Sequence, residues 1–314
     1  MFMLRISEFK NLKERVYATL VFFDLFDRPL TLDEIYLYRF GNINKKELEN
    51  FLQNDHQILL KEGLYFFADR KNIFENFLEK QIIARKLWHK VGFFLPIIRL
   101  IPFVRLVAIC NTLAFDAPTL DSDIDLFIIT KKGRIFLTRT FVTLLFSILG
   151  VRRHGNKIAG RFCLSFYLAD DVLDIHSIQL DDDIYLPFWM ASLKAFLGKQ
   201  CYLDFLKNNN WLTAFFDREP EPDLQMLRKD PWFSVFGKFG EFVFGGKFGD
   251  LVELKLKNFY QKRFQKNKNA LGDEASIVVN SSMLKFHNID RRKEITESFK
   301  ERFNEVTFRS KPLP

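Results

Sequence analysis

Two aspartates two residues apart, Asp123 and Asp125, open an apolar run that continues to Thr130. On a strand, residues i and i+2 point to one face, so this spacing predicts two carboxylates side by side while Ile124 enters the core. Hard divalent cations such as Mg²⁺ or Mn²⁺ take oxygen ligands of this kind, completed by substrate phosphates and water. Two such ions can clamp the attacking and leaving oxygens of an in-line phosphoryl-type displacement. Taken alone, Asp-x-Asp is more often a solvated acidic turn ahead of a buried strand. The upstream context narrows the reading. Arg105–Cys110 reads as a first strand, Asn111-Thr112 as a turn, and after a short loop Asp-x-Asp enters a second strand.

This segment resembles the nucleotidyltransferase superfamily typified by DNA polymerase β. The superfamily pattern is a Gly-Ser dipeptide after the first strand, then Asp-x-Asp on the next. Asp121-Ser122-Asp123-Ile124-Asp125-Leu126 matches the second part, and Asn111-Thr112-Leu113-Ala114 stands in place of Gly-Ser-Leu-Ala. Thr112 keeps a hydroxyl for phosphate, and after glycine it is asparagine that best tolerates left-handed backbone angles. The resemblance implies Mg²⁺- or Mn²⁺-dependent transfer of a nucleoside monophosphate from a nucleoside triphosphate to a hydroxyl acceptor. It makes Asp123 and Asp125 the catalytic metal ligands, and Asn111 and Thr112 the nucleotide-binding residues. Members usually add a third carboxylate from a neighbouring strand. In the candidate strand Arg161–Leu168 no acid occurs, and Ser165 stands about where one is expected. Asp170 and Asp171 follow the strand and read as turn residues. The resemblance covers residues 106–171. The whole layout, with the tail segment Met283–Arg291, is similar to a group of bacterial proteins known by sequence rather than by reaction.

The elements that position these residues divide the chain into three parts. Residues 1–70 read as a winged-helix-like module. Val16, Leu20 and Phe23 mark a first helix, Thr31-Leu32-Asp33-Glu34 is a capping box for a second, and Asn44 caps a third with Leu48, Phe51 and Leu52 buried. Two apolar runs around Lys61-Glu62-Gly63 then form a hairpin. Residues 71–184 hold a linking helix and a β-loop-β-α-β order, hence a small α/β domain with a mixed sheet. Residues 185–314 read as mainly helical, and the recurrence of Gly-Lys-Phe-Gly at Gly237 and Gly246 reads as local low complexity. The expected class is α+β: a nucleotidyltransferase-like sheet, a winged-helix-like N-terminus and a helical C-terminal region.

Composition bounds the rest. The chain has 314 residues and a net charge of +8, and its 38 phenylalanines predict an aromatic core. Its three cysteines, Cys110, Cys163 and Cys201, are too few and too scattered for a disulfide framework or a thiolate zinc site, and they read as small core residues. No signal peptide is evident, the apolar runs near residues 93–110 and 135–151 are broken or short, and a cytoplasmic location without a membrane span is expected. Lys131, Lys132 and Arg134 follow the second strand and read as a solvated turn, with triphosphate oxygens as the alternative. The third N-terminal helix carries Lys45 and Lys46 against Glu47, Glu49 and Asp55, which speaks against duplex DNA. Basic residues interleaved with Phe259, Tyr260 and Phe264 between Lys255 and Lys268 suit RNA, or else form the solvated back of a core helix. His287 reads as structural, and Asp290 as an ion-pair partner of Arg291 and Arg292. Three functions remain: a nucleotidyltransferase, a catalytically weak nucleotide-binding or regulatory protein on the same fold, and, least supported by charge, a winged-helix regulator.

Overall fold

The computed structural model describes residues 9, 11–227, 232–271, 276–287 and 290–308. The chain begins with three helices, α1 (Leu12–Asp24), α2 (Leu32–Leu37) and α3 (Lys45–Asn54). Asn44 and the reciprocal Thr31–Glu34 box cap α3 and α2 as expected, and Asn11 caps α1 by accepting a backbone N–H. Strands β1 (Ile58–Lys61) and β2 (Leu64–Phe67) pair antiparallel, with Lys61 opposite Leu64. Glu62 and Gly63 between them both have positive φ, 50° and 79°, the pattern of a type I′ turn that matches strand twist.

The long helix α4 (Ile73–Phe94) leads through a 3₁₀ segment, Leu95–Leu100, into the main sheet. Strand β3 (Val104–Cys110), the single turn α5 (Asn111–Ala114), β4 (Ile124–Thr130), α6 (Ile135–Ile148) and β5 (Phe162–Ala169) follow in the expected order. Next come α7 (Tyr185–Ala191), β6 (Lys194–Leu197), α8 (Lys199–Asn208), α9 (Trp211–Phe216), α10 (Trp232–Phe244) and α11 (Lys247–Leu271). Strands β7 (Ser276–Val279) and β8 (Met283–His287) and helix α12 (Arg292–Phe308) complete the chain. The six-stranded mixed sheet runs β6-β3-β4-β5-β8-β7, with β4 and β5 parallel across the α6 connection. The protein is therefore α+β with an open mixed sheet.

The region from residue 185 is mainly helical, yet its short strands β6, β7 and β8 supply half of the sheet, which the sequence reading did not anticipate. Strands of four or five residues are too short for period-two alternation to stand out, and their partners lie far away in sequence. Beyond β6 the chain passes so close to β3 that a Cβ at Gly198 would lie 2.0 Å from the Arg105 carbonyl oxygen, and Gly198 has φ +89°.

Alternate strand residues feed two cores. Ala108, Phe127 and Phe166 face the N-terminal helices, α7, α8 and α12. Val107, Leu126 and Tyr167 face α4, α6 and α11. The phenylalanines knit the first core across the chain: Phe22 of α1 stacks on Phe188 of α7 with centroids 3.9 Å apart, and Phe115 packs edge-on to Phe22. The N-terminal helices are thus packed into the sheet's own core. No helix among the described residues is long and apolar enough to cross a membrane.

Candidate functional site

The register brings the chemistry-bearing residues to one end of the sheet. Cys110, last in β3, pairs with Asp125 near the start of β4, and Asp125 pairs with Cys163 near the start of β5. Asp125 shares the parity of Phe127, so it faces the first core's side of the sheet. Asp123 lies one residue ahead of the strand, and both carboxylates line one cleft of about 310 Å³ with Asn111 and Thr112. All four residues singled out in the sequence therefore stand together.

Local geometry explains how. Asn111 has φ +59°, the left-handed angle expected at this turn. Its side-chain oxygen accepts from the Tyr185 hydroxyl at 3.1 Å, and its amide donates to Asp125. Ser122 ties the two loops: its Oγ accepts from the Thr119 N–H at 2.9 Å and lies 3.5 Å from Thr112 Oγ1. Burial, and next the Asp123 charge, push the Asp125 carboxyl up to about 7, against the opposing pull of Asn111, Cys163 and Arg153.

A bulge shapes the neighbouring strand. Between the Asp125–Cys163 and Phe127–Phe166 pairs, β5 has one residue more than β4. Bulges of this kind re-aim side chains near functional sites. Here Cys163 lies opposite Asp125, its Sγ is 3.3 Å from Ser165 Oγ, and Ser165 lines the cleft. These two residues occupy the stretch where the resemblance would put a third carboxylate. Asp170 and Asp171 are at the other end of β5, where Asp170 accepts from the Lys132 N–H and Asp171 pairs with the Lys132 ammonium. Lys131 and Lys132 follow β4 at that far end, and Arg134 is buried there against the carbonyls of Phe244 and Gly245, so none of the three lines the cleft.

Ligand atoms of Asp123, Asp125 and Cys163 lie within 4.8 Å of one another. The donor chemistry fits a hard cation. Burial, followed by the charges of Asp125 and Asp123, drives the Cys163 thiol well above its ordinary value. It stays protonated and donates to Asp125, leaving carboxylate oxygens as the anionic ligands. Mg²⁺ or Mn²⁺ suits such a pair better than zinc.

Sequence reasoning missed most of the cations here. Arg153, from the loop after α6, donates to Asp123 at 2.6 Å. Lys285 of β8 and Arg292 of α12 also line the cleft. Arg292 holds the fully buried Asp183 at 2.8 Å and Asp290 at 2.7 Å. Burial, and next the Arg292 charge, bring the Lys285 ammonium down to about 8. Burial raises Asp290, but Arg292 and Lys285 outweigh it and hold the carboxyl well below its usual range. Arg291 pairs with Glu294 rather than Asp290. The tail segment Met283–Arg291 contains Lys285, Asp290 and Arg291, yet nothing in its pattern reveals that it reaches the cleft. The side chain of His287 lies outside those described, as do residues Asn288 and Ile289 altogether. Among the interleaved aromatics, Tyr260 is buried and Phe264 packs on Phe286, while Phe259 is exposed. The side chains of Lys266 and Lys268 lie outside those described.

Comparison with family models, with curated proteins and with solved structures finds no match for this chain.

Proposed function

We propose that the protein binds a nucleoside triphosphate with Mg²⁺ or Mn²⁺ in this cleft and transfers the nucleoside monophosphate to a hydroxyl acceptor. One observation carries the reading. The Asp123–Asp125 pair, the left-handed turn at Asn111 and the Thr112 hydroxyl line a single cleft at one end of a mixed sheet. Asp123 and Asp125 would hold the cation, which when bound neutralises charge on the phosphate oxygens. Thr112 and the backbone around Asn111 would hold the terminal phosphates. Lys285 adds positive charge along the wall, and Arg153 beside Asp123. The apolar surfaces of Trp189 and Leu186 narrow the access of water. In the transfer the acceptor oxygen bonds to the α-phosphorus, the bond to the β-phosphate breaks, and pyrophosphate leaves. The hydroxyl proton passes to water. Positioning and charge neutralisation supply most of the rate enhancement in reactions of this kind.

A second reading has its own support. Cys163 faces Asp125 where a third carboxylate would stand, and Asp123 is engaged by Arg153. Both favour a nucleotide-binding or regulatory protein with weak or no turnover. Incubating the protein and Mg²⁺ with each labelled triphosphate and a cell extract separates the two. Labelled product is expected for the transferase. A ligand-induced rise in melting temperature without product selects the binder, and neither signal refutes both. The regulator reading gains nothing from α3, where Lys45 is tied to Asp33.

A further inference from the structure

Helices α10 and α11 turn an apolar face outward. On α10, Gly237 and Gly240 meet the body: a Cβ at Gly237 would lie 2.8 Å from the Arg99 carbonyl oxygen, and one at Gly240 would lie 3.0 Å from the Pro102 ring. The first of the two Gly-Lys-Phe-Gly copies is thus a packing surface. The opposite face carries Val235, Phe236, Phe239, Phe242 and Val243, all exposed, with Phe239 at 67% and Phe242 at 85%. After the turn at Gly245-Gly246, α11 continues the pattern with exposed Phe248 and Leu251. Single exposed apolar residues need no explanation, but a helical face made of them does.

The charges on these helices are sorted in the same way. Their acids find partners on the body: Glu241 binds Arg105 at 2.7 Å, Asp250 binds Arg134 at 2.6 Å, and Glu253 accepts the N–H groups of Phe136 and Leu137. Lys238, Lys247, Lys255, Lys262 and Arg263 are exposed, and none pairs with a carboxylate among the described residues. An aromatic face flanked by unneutralised lysines is the chemistry that seats a helix in the headgroup region of an anionic bilayer. We infer that α10 and the first half of α11 form an in-plane binding element for an anionic phospholipid surface. The helices lie on that surface without spanning it, in keeping with the absence of a membrane-crossing helix among the described residues. Arg134, at the C-terminal end of β4, holds the Phe244 and Gly245 carbonyls, so the element sits at the sheet end opposite the cleft and leaves the cleft open to solvent. A second copy of this chain would set like charges against one another. Single-stranded RNA stacks its bases on separate aromatics along a basic groove and has no use for a continuous outward Phe and Val face.

The test sediments the full chain with phosphatidylcholine vesicles, with and without phosphatidylserine. The protein is expected to pellet with the phosphatidylserine vesicles and to be released by salt. Phe239→Ser with Phe242→Ser should lower the partition roughly tenfold or more at unchanged melting temperature, since both rings are exposed before binding. Lys247→Glu with Lys255→Glu should weaken binding and flatten its salt dependence. Wild-type protein left in the supernatant overturns the inference, as does a serine variant that pellets like wild type. A dimer that the serine substitutions dissolve, with no vesicle binding, assigns the face to a second copy. Capture of an RNA oligonucleotide without vesicle binding, lost in the lysine variant alone, assigns it to RNA.

Discussion

At the C-terminal ends of β4 and β5, Lys132 meets Asp171 at 3.0 Å, and Arg105 lies 3.8 Å from Asp170. At the N-terminal ends of the same strands, Asp123 and Asp125 line a cleft together with Lys285 and Arg292, and Arg153 pairs with Asp123. Both ends use acids next to bases. They differ in what surrounds the pairs. Lys132 is largely in water, so its pairing is screened and worth little. Asp183 is buried completely and Asp125 has been pushed up to about 7, so charge at the cleft end depends on specific partners. One end closes a turn, whereas the other holds repulsion and desolvation that a cation can relieve.

The largest expected effect lies in the cleft wall. Arg292→Ala would leave Asp183 buried without its cation and should cost about 3–5 kcal/mol of stability by urea denaturation. Lys132→Ala, at the other end, should cost no more than about 0.5 kcal/mol. Equal costs would erase the distinction between the ends.

The next test uses the aspartate pair. Mg²⁺ with a triphosphate at about a hundredfold its dissociation constant should stabilise the wild type by about 2.7 kcal/mol. Asp123→Asn with Asp125→Asn should abolish that shift while the free protein stays equally or more stable, because the repulsion is gone. A full shift in the double variant would break the assignment of these residues as ligands.

The smallest effect is a slope. The folded value of Lys285, about 8, lies below its unfolded value, so between the two the unfolded chain binds more protons. Stability should therefore rise with pH from about 8 toward about 10, the unfolded lysine value. Lys285→Met should remove this part of the rise. Identical slopes in both proteins would show that the cleft wall does not hold the ammonium in the way its burial implies.

Much of the local structure was legible. The Thr31–Glu34 box, the Asn44 cap and the hairpin turn at Glu62-Gly63 are decided by neighbours a few residues apart, and they formed as expected. So did the turn at Asn111, where a side chain that tolerates left-handed angles meets a backbone that requires one. Asp123 and Asp125 were readable because two-residue spacing is itself a statement about direction. Arg153, Cys163, Lys285 and Arg292 were not. Arg153 reaches Asp123 across 30 residues, and Arg292 reaches Asp183 across 109. The bulge in β5 that sets Cys163 and Ser165 beside the aspartates shows only once β4 and β5 are paired.

The helix α10 divides the two kinds of information most sharply. Its sequence determined that a helix would have a Phe and Val face and a glycine face. Which of them met the body was decided by the close approach of the Arg99 carbonyl and the Pro102 ring, which leave no room for a side chain at Gly237 or Gly240 without movement. In the same way, the sequence by itself determined a carboxylate pair at the mouth of a strand and the turn that faces it. The cations that surround the pair, and the burial that raises Asp125, came only with the tertiary structure. Charge and desolvation depend on distance in space, and the residues that set them are far apart along the chain.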